Sequence, residues 1–269
     1  MMDPMLNRYL LSSDTPGEYQ STPPNFPPQP QFTHWSRVRP FALERANQFR
    51  PGPPPLLTSD TYSDGFNEVK ALGIVNSTAS TPDQALTGRF WNGAIQNYWN
   101  EITQTAALQH NQTIAESARV FALLNLAIAD SVIAFYDAKY TYNFWRPITA
   151  IRNGDLDGND QTGRMPDWEP LIDTPLHPEY PCAHCINSMA VATVLRSEFG
   201  NGHIPALTMT SSTAPGVAHR WSSIKEWTDE VAEARIYAGV HYRNSTVVGQ
   251  EMGIKIGELA ASSYLRPAH

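Results

Sequence analysis

Residues 113–139, TIAESARVFALLNLAIADSVIAFYDAK, decide the fold class. Thr113 and Glu116 stand at capping-box spacing, so a helix is expected to open there and run to about Lys139. Ala and Leu occupy nearly every side of it. A helix apolar all round is a central, buried one. Its most apolar part, Val120 to Tyr136, contains Asn125, Asp130 and Ser131, which makes it too polar and slightly too short for a membrane span. Working outward, Thr81-Pro82-Asp83-Gln84 reads as an N-cap, a proline at N1 and a second capping box. Ser223-x-x-Glu226 opens another helix, a further one spans roughly Thr246 to Tyr264, and an apolar helix ends near Gly200. Leu207–Ser211 and Val217–Ser222, separated by Pro215-Gly216, predict a short hairpin. Without repeats or βαβ alternation, the expected class is mainly α, a helical bundle with at most a small β-hairpin.

Proline divides the chain. Residues 1–60 hold 12 of the 22 prolines, so residues 1–58 are expected to run extended, as a segment distinct from a helical domain over 59–269. Its aromatics (Phe26, Phe32, Trp35, Phe41, Phe49) predict packing over a surface. With 26 acidic against 19 basic residues, the net charge of −7 argues against a nucleic-acid partner. No basic-then-apolar signal peptide opens the chain, and the compartment stays open. Asp155-x-Asp157-Gly158-Asn159-Asp160 imitates the start of a calcium loop. Position six is Asp160 where glycine belongs and position twelve is Pro166 where glutamate belongs, so no calcium is expected at 155–166.

Three clusters carry chemistry. The first is Lys139-x6-Arg146-Pro147. On one continuous helix its two cations would share a face, and a desolvated ammonium there needs an anionic partner. The alternative is a lysine that snorkels out beside Asp137. The second is His177-Pro178-Glu179-Tyr180-Pro181-Cys182-Ala183-His184-Cys185. A proline-rich turn feeding small residues into a helix start presents N–H groups to an anion, with His184 placed to exchange protons. A redox pair or half a zinc site at Cys182 and Cys185 lacks its usual context. The third is Arg235-x5-His241, where Gly239 offers a break and Asn244 or Ser245 is expected to cap the next helix. Together these supply one lysine, two arginines and two histidines, the ingredients of a tetrahedral oxyanion site.

The order Lys-x6-Arg-Pro, Pro-x-x-His, Arg-x5-His resembles the three-part signature shared by vanadium-dependent haloperoxidases and type 2 phosphatidic-acid-phosphatase-like acid phosphatases. The similarity spans roughly Ser59 to Leu265, and "DAKYTYNFWRP" and "RIYAGVHYR" look like the haloperoxidase branch. The resemblance implies an oxidoreductase that uses vanadate and hydrogen peroxide to oxidise halide, with phosphate as a mimic of vanadate and no NAD, haem or flavin. It implies His241 as the residue bonded to vanadium, or as the nucleophile of a phosphatase. Lys139, Arg146 and Arg235 would hold the oxygens, together with the backbone at Ala183 and the side chain at position 182, and His184 would be the acid–base group. His177 implies bromide in preference to chloride.

The chain departs from the pattern in several places. Pro181-Cys182-Ala183-His184 replaces the usual Pro-Ser-Gly-His, losing a hydroxyl at Cys182 and adding a methyl at Ala183. Ser245 stands where an aspartate usually orients the ligand histidine, so that carboxylate is expected to be missing. Ala234 replaces the serine before Arg235. The N-terminus is short for a haloperoxidase, which implies either cover from a partner subunit, as in a homodimer or other homo-oligomer, or a more open site. Two rival functions use the same residues, hydrolysis of a phosphomonoester and non-catalytic oxyanion binding. A Cys182 thiol beside the cations tilts toward these, because peroxide should oxidise it.

Overall fold

The hydroxyl of Thr113 accepts the N–H of Glu116 while the Glu116 carboxylate takes the N–H of Thr113 at 2.7 Å, the reciprocal cap its sequence predicts. The structure, a computed structural model, describes residues 15–200 and 207–266. Within them the helices are α1 (Asp60–Leu72), α2 (Pro82–Phe90), α3 (Ile95–Gln109), α4 (Ile114–Tyr142), α5 (Pro147–Arg152), α6 (Ala183–Phe199), α7 (Ile224–Tyr237) and α8 (Arg243–Ser263). One antiparallel hairpin, β1 (Leu207–Ser211) and β2 (Ala214–Trp221), lies between α6 and α7. The turn falls at Ser212-Thr213. Pro215-Gly216 lies inside β2, beside a register shift at Thr210/Ser211 where Gly216 takes φ +82°. The mainly helical class with one small hairpin is as the sequence predicts.

Helix α4 is the axis. Its 29 residues are enough by length and composition to cross a membrane, which corrects the expectation that the stretch is too short. Packing gives it another place: Leu123, Ala127, Ala134, Phe135 and Tyr136 are buried against Ala183, Ile186, Ala190 and Val194 of α6 and Met252 and Ile256 of α8. Among the described residues the α6–α8 contact is the most extensive between helices, and glycine permits its close approach. A Cβ on Gly249, Gly253 or Gly257 of α8 would lie 2.8, 2.3 or 2.5 Å from the carbonyl oxygens of Cys182, Ile186 and Ala190. This locks the start of α8, and so the residue preceding it, against the start of α6. A second core joins Trp91, Trp99 and Trp227, with Trp99 and Trp227 ring centroids 4.8 Å apart.

The N-terminal segment is bound to α4 mainly by its backbone. Buried Asp130 accepts the N–H groups of Phe41, Ala42 and Leu43 at 2.7, 2.6 and 2.8 Å, and Arg50 pairs with Asp137 at 2.7 Å. Of the aromatics expected to pack, Trp35 and Phe49 do and Phe32 sets its ring 5.5 Å from that of Tyr136, whereas Phe26 and Phe41 remain 59% and 64% exposed. Replacing Asp130 with alanine strands these N–H groups at about 1 kcal/mol or more each. Asp130→Ala is therefore expected to lose about 3 kcal/mol in urea unfolding and to expose residues 38–55 to proteolysis. Asp130→Asn, which keeps one oxygen, should lose less.

Candidate functional site

Three chain reversals build the site. Helix α4 stops at Tyr142 because Asn143 takes the left-handed conformation (φ 49°, ψ 38°), and Arg146 becomes the N-cap of α5 with Pro147 at its first position. Lys139 and Arg146 therefore do not share one continuous helix, correcting the expectation from their spacing. The turn between them folds Arg146 back instead. Cys182 is the N-cap of α6, with Ala183 and His184 in its first turn, where helix N–H groups lack partners within the helix. Gly239, at φ +77°, ends α7 and leaves Val240 and His241 as a connector. Tyr242 is the N-cap of α8, so Asn244 and Ser245 fall inside its first turn rather than capping it.

The reversals bring the sequence-predicted groups into one buried cluster. Arg146 Nη1 lies 3.3 Å from His241 Nε2 and donates to the Val240 carbonyl at 2.9 Å; its Nε donates to the His177 carbonyl at 2.8 Å. Arg146 Nη2 is 3.1 Å from His177 Nδ1. Lys139 Nζ donates to the carbonyls of Pro178 and Glu179 at 3.0 and 2.8 Å, not to Asp137. Arg235 Nη1 donates to the Trp91 carbonyl at 3.1 Å. Lys139, Arg146, Arg235 and His241 are each 1% exposed or less. Each cation is oriented by carbonyls that consume only part of its donor set, so N–H groups remain for a ligand.

One carboxylate organises the cluster, and it is not where the family pattern puts it. Glu179 Oε1 lies 2.7 Å from His241 Nδ1 and accepts the N–H of Tyr242 at 3.1 Å. The carboxylate expected to be missing, because position 245 is serine, is thus supplied from the turn before α6. A carboxylate on Nδ1 fixes the tautomer with Nδ1 protonated, which turns the Nε2 lone pair toward Arg146 and the site. Glu179 lies within the second sequence cluster, but nothing local in the sequence marks it as a partner of His241. Balancing charge would have found it, because three buried cations beside an apolar helix require at least one buried acid.

Electrostatics follow from burial. Desolvation, reinforced by Arg146, Lys139 and Arg235, pushes His241 and His184 well below the usual imidazole range, and burial with Arg146 and Lys139 does the same to His177. Burial also drives Lys139 well down, with Arg146 adding to it and Glu179 opposing. Glu179 is pushed up to about 7 by burial, against the pull of Lys139 and Arg146.

The three imidazoles stay neutral in the folded chain but protonate when unfolded below about 6.5, so their contribution is present above that pH and lost as pH falls. Glu179 works oppositely, since its raised value favours the folded state as pH drops from about 7 toward 4.5. Three groups outweigh one. Unfolding should therefore take up protons as the pH falls below about 6.5. Urea midpoints from pH 7 to 5.5, in buffer free of tetrahedral anions, should fall accordingly, and His184→Gln should make that fall shallower. A flat profile would contradict neutral histidines.

Above the cluster lies a cavity of about 680 Å3, reached by Ala183, His184, Arg235, His177 and His241. His184 Nε2 and Arg235 Nε are buried there without a hydrogen-bond partner. Cys182 stands apart: its Sγ accepts the N–H of Cys185 at 3.4 Å and packs with Cys185 and Ala232, away from the cavity lining. Burial works to raise its thiol, but Cys185, Arg235 and Lys139 together hold it below the ordinary value. In the calcium-like loop, Asp157 accepts the N–H of Asn159 at 3.0 Å and the Thr162 hydroxyl at 2.7 Å, making a polar turn.

Residues 119–269 match the family model of the VCPO second helical-bundle domain. Over 172 residues the chain is 27% identical to vanadium chloroperoxidase of Curvularia inaequalis, an alignment that covers 53% of this chain and 27% of that protein. The crystal structure described as the first bacterial vanadium-dependent iodoperoxidase superposes with a TM-score of 0.81 at 29% identity, covering 95% of this chain and 62% of that one. An apo bacterial vanadium-dependent chloroperoxidase shares the fold, with a TM-score of 0.74 at 16% identity and 93% and 62% coverage. The chain therefore spans under two thirds of these relatives. With more than half of its own length matched by the family model, and with vanadium haloperoxidases as its relatives and structural neighbours, the chain belongs to the family of the VCPO second helical-bundle domain.

Proposed function

We propose that the chain is a vanadate-dependent haloperoxidase that oxidises halide with hydrogen peroxide, bromide in preference to chloride. The observation that carries this reading is the placement of His241: a buried imidazole with Nδ1 against the Glu179 carboxylate and Nε2 beside Arg146, close enough to Lys139 and Arg235 for their charge to act on it. Three cations against one carboxylate leave an excess of positive charge, which an oxyanion would neutralise. The unpartnered His184 Nε2 and Arg235 Nε add to the fit, since a tetrahedral oxyanion offers acceptors for Arg235 and exchangeable protons for His184.

Vanadate bound there supplies a Lewis-acidic centre that makes peroxide electrophilic toward halide. The chain's residues do the rest. His241 Nε2 would be the attachment atom, and Lys139, Arg146 and Arg235 would hold the oxygens with donors left free by their carbonyl contacts. The helix start at Ala183 adds backbone N–H groups, a place that Cys182, turned onto its own helix, leaves to them. His184, neutral and with its Nε2 buried, would take a proton from peroxide there and return one to the water formed. Overall, peroxide, halide and one proton become hypohalous acid and water. His177, bonded to Arg146, lines the same cavity and is the residue on which the bromide preference rests.

Phosphate shares the charge and shape of vanadate, so two assays on the purified protein test the proposal. Vanadate, peroxide and bromide should give bromide oxidation that disappears without vanadate. A generic phosphomonoester should be turned over slowly or not at all. Phosphomonoester hydrolysis without vanadate-dependent bromide oxidation would overturn the reading.

A further inference from the structure

The chain has two cysteines, both free thiols, and neither sulfur has a part in holding the oxyanion. Cys182 is the N-cap of α6 and Cys185 lies in its first turn. An N-cap residue has non-helical backbone, so its side chain reaches over the residue three positions on. Cys182 Sγ does this, accepting the N–H of Cys185 at 3.4 Å, and the two thiols also hydrogen-bond to each other. Helix α8 closes over both. A Cβ on Gly249 would lie 3.0 and 3.4 Å from the Cβ atoms of Cys185 and Cys182, so the two side chains share one small volume. That is close to the placement a disulfide requires.

Their surroundings give the two sulfurs different roles. Burial works to raise Cys182, but the hydrogen bond from Cys185 and the charge of Arg235 and Lys139 hold it below the ordinary value. Burial, then Cys182 itself, push Cys185 well above it. A sulfur with thiolate character attacks, and its protonated neighbour resolves. Both thiols are fully buried, which closes them to bulky reagents. Ala183, between them in the chain, and Arg235, whose charge acts on both, line the cavity, which brings an oxidant the size of water to their edge.

We propose that Cys182 and Cys185 form a redox site, a dithiol that hydrogen peroxide converts reversibly into a disulfide. The Cys182 sulfur attacks one peroxide oxygen and the O–O bond breaks. The departing hydroxide takes the Cys182 proton, leaving a sulfenic acid and water. The Cys185 sulfur then displaces the sulfenic hydroxyl, which leaves as water with the Cys185 proton. Peroxide is thus reduced to two waters while two thiols are oxidised to one disulfide. Stopping there keeps Cys182 from the sulfinic acid, whose permanent negative charge beside Arg235 and Lys139 would compete with a bound oxyanion. The proposal rests on the haloperoxidase reading only for the source of the peroxide.

The test omits vanadate. Protein is treated with hydrogen peroxide, quenched with catalase, unfolded and alkylated, with or without prior dithiothreitol, to count its thiols. The wild-type count should fall from two to none and return to two with dithiothreitol. In Cys185→Ser the remaining thiol should be lost beyond recovery, because Cys182 runs on to the sulfinic acid. Cys185→Ala makes the same comparison if circular dichroism shows the serine variant unfolded. In Cys182→Ser the remaining thiol should be lost at least about tenfold more slowly than in wild type. Wild-type thiols that survive peroxide, a wild-type loss that dithiothreitol does not reverse, or equally fast loss in Cys182→Ser would overturn the proposal. A failure of the haloperoxidase reading appears separately, as absent bromide oxidation in a protein that still forms the disulfide.

Discussion

Replacing His241 with alanine is expected to abolish vanadate-dependent bromide oxidation and saturable vanadate binding together, whereas His184→Ala keeps the binding and slows turnover by about 10²–10⁴-fold. The two imidazoles share one cavity, so their division of labour comes from their partners. His241 is fixed from behind by Glu179 at 2.7 Å and presents Nε2 beside Arg146 at 3.3 Å, the posture of an attachment atom. His184 sits in the first turn of α6 with Nε2 unpartnered, free to take and return a proton. Steady-state rates and vanadate titrations on the two variants check this. Equal loss of vanadate binding in both would dissolve the distinction.

Glu179→Gln is expected to weaken vanadate binding and lower turnover by about 10–100-fold, the usual cost of losing a group that orients a metal-bound histidine. The amide preserves volume and an acceptor for the Tyr242 N–H, so the fold should survive. It removes the negative charge, however, leaving Lys139, Arg146 and Arg235 without a carboxylate and His241 Nδ1 with a weaker acceptor. Glutamine should therefore cost affinity even though a more positive pocket would, by charge alone, attract the anion. If the variant binds vanadate as well as wild type, orientation of His241 by Glu179 has no bearing on the site.

What the sequence discloses and conceals divides along physical lines. The caps of α2, α4 and α7 are local, written in Thr81, Thr113 and Ser223, and each hydroxyl accepts the N–H three residues on. The apolar girth of α4 likewise announces a central helix. Concealed are features that depend on one segment meeting another. Asp130 reads as a polar blemish in an apolar run until the backbone of residues 41–43 arrives to use it. The glycines of α8 read as helix weakeners until α6 is pressed against them. At the site, the lysine, arginines and histidines were legible as a set. Their arrangement was not, because Asn143 breaks the helix that spacing alone would continue through Arg146. Glu179 lies 62 residues from the histidine it holds, beyond any local pattern.

The central claim is that these buried cations and His241 form an oxyanion centre. Equilibrium dialysis against vanadate, followed by elemental analysis of the retained protein, tests it most directly. The account predicts one vanadium per wild-type chain, displaced by excess phosphate, and none on His241→Ala. Vanadium retained equally by the His241→Ala variant, or no saturable vanadium on the wild-type chain, would contradict it.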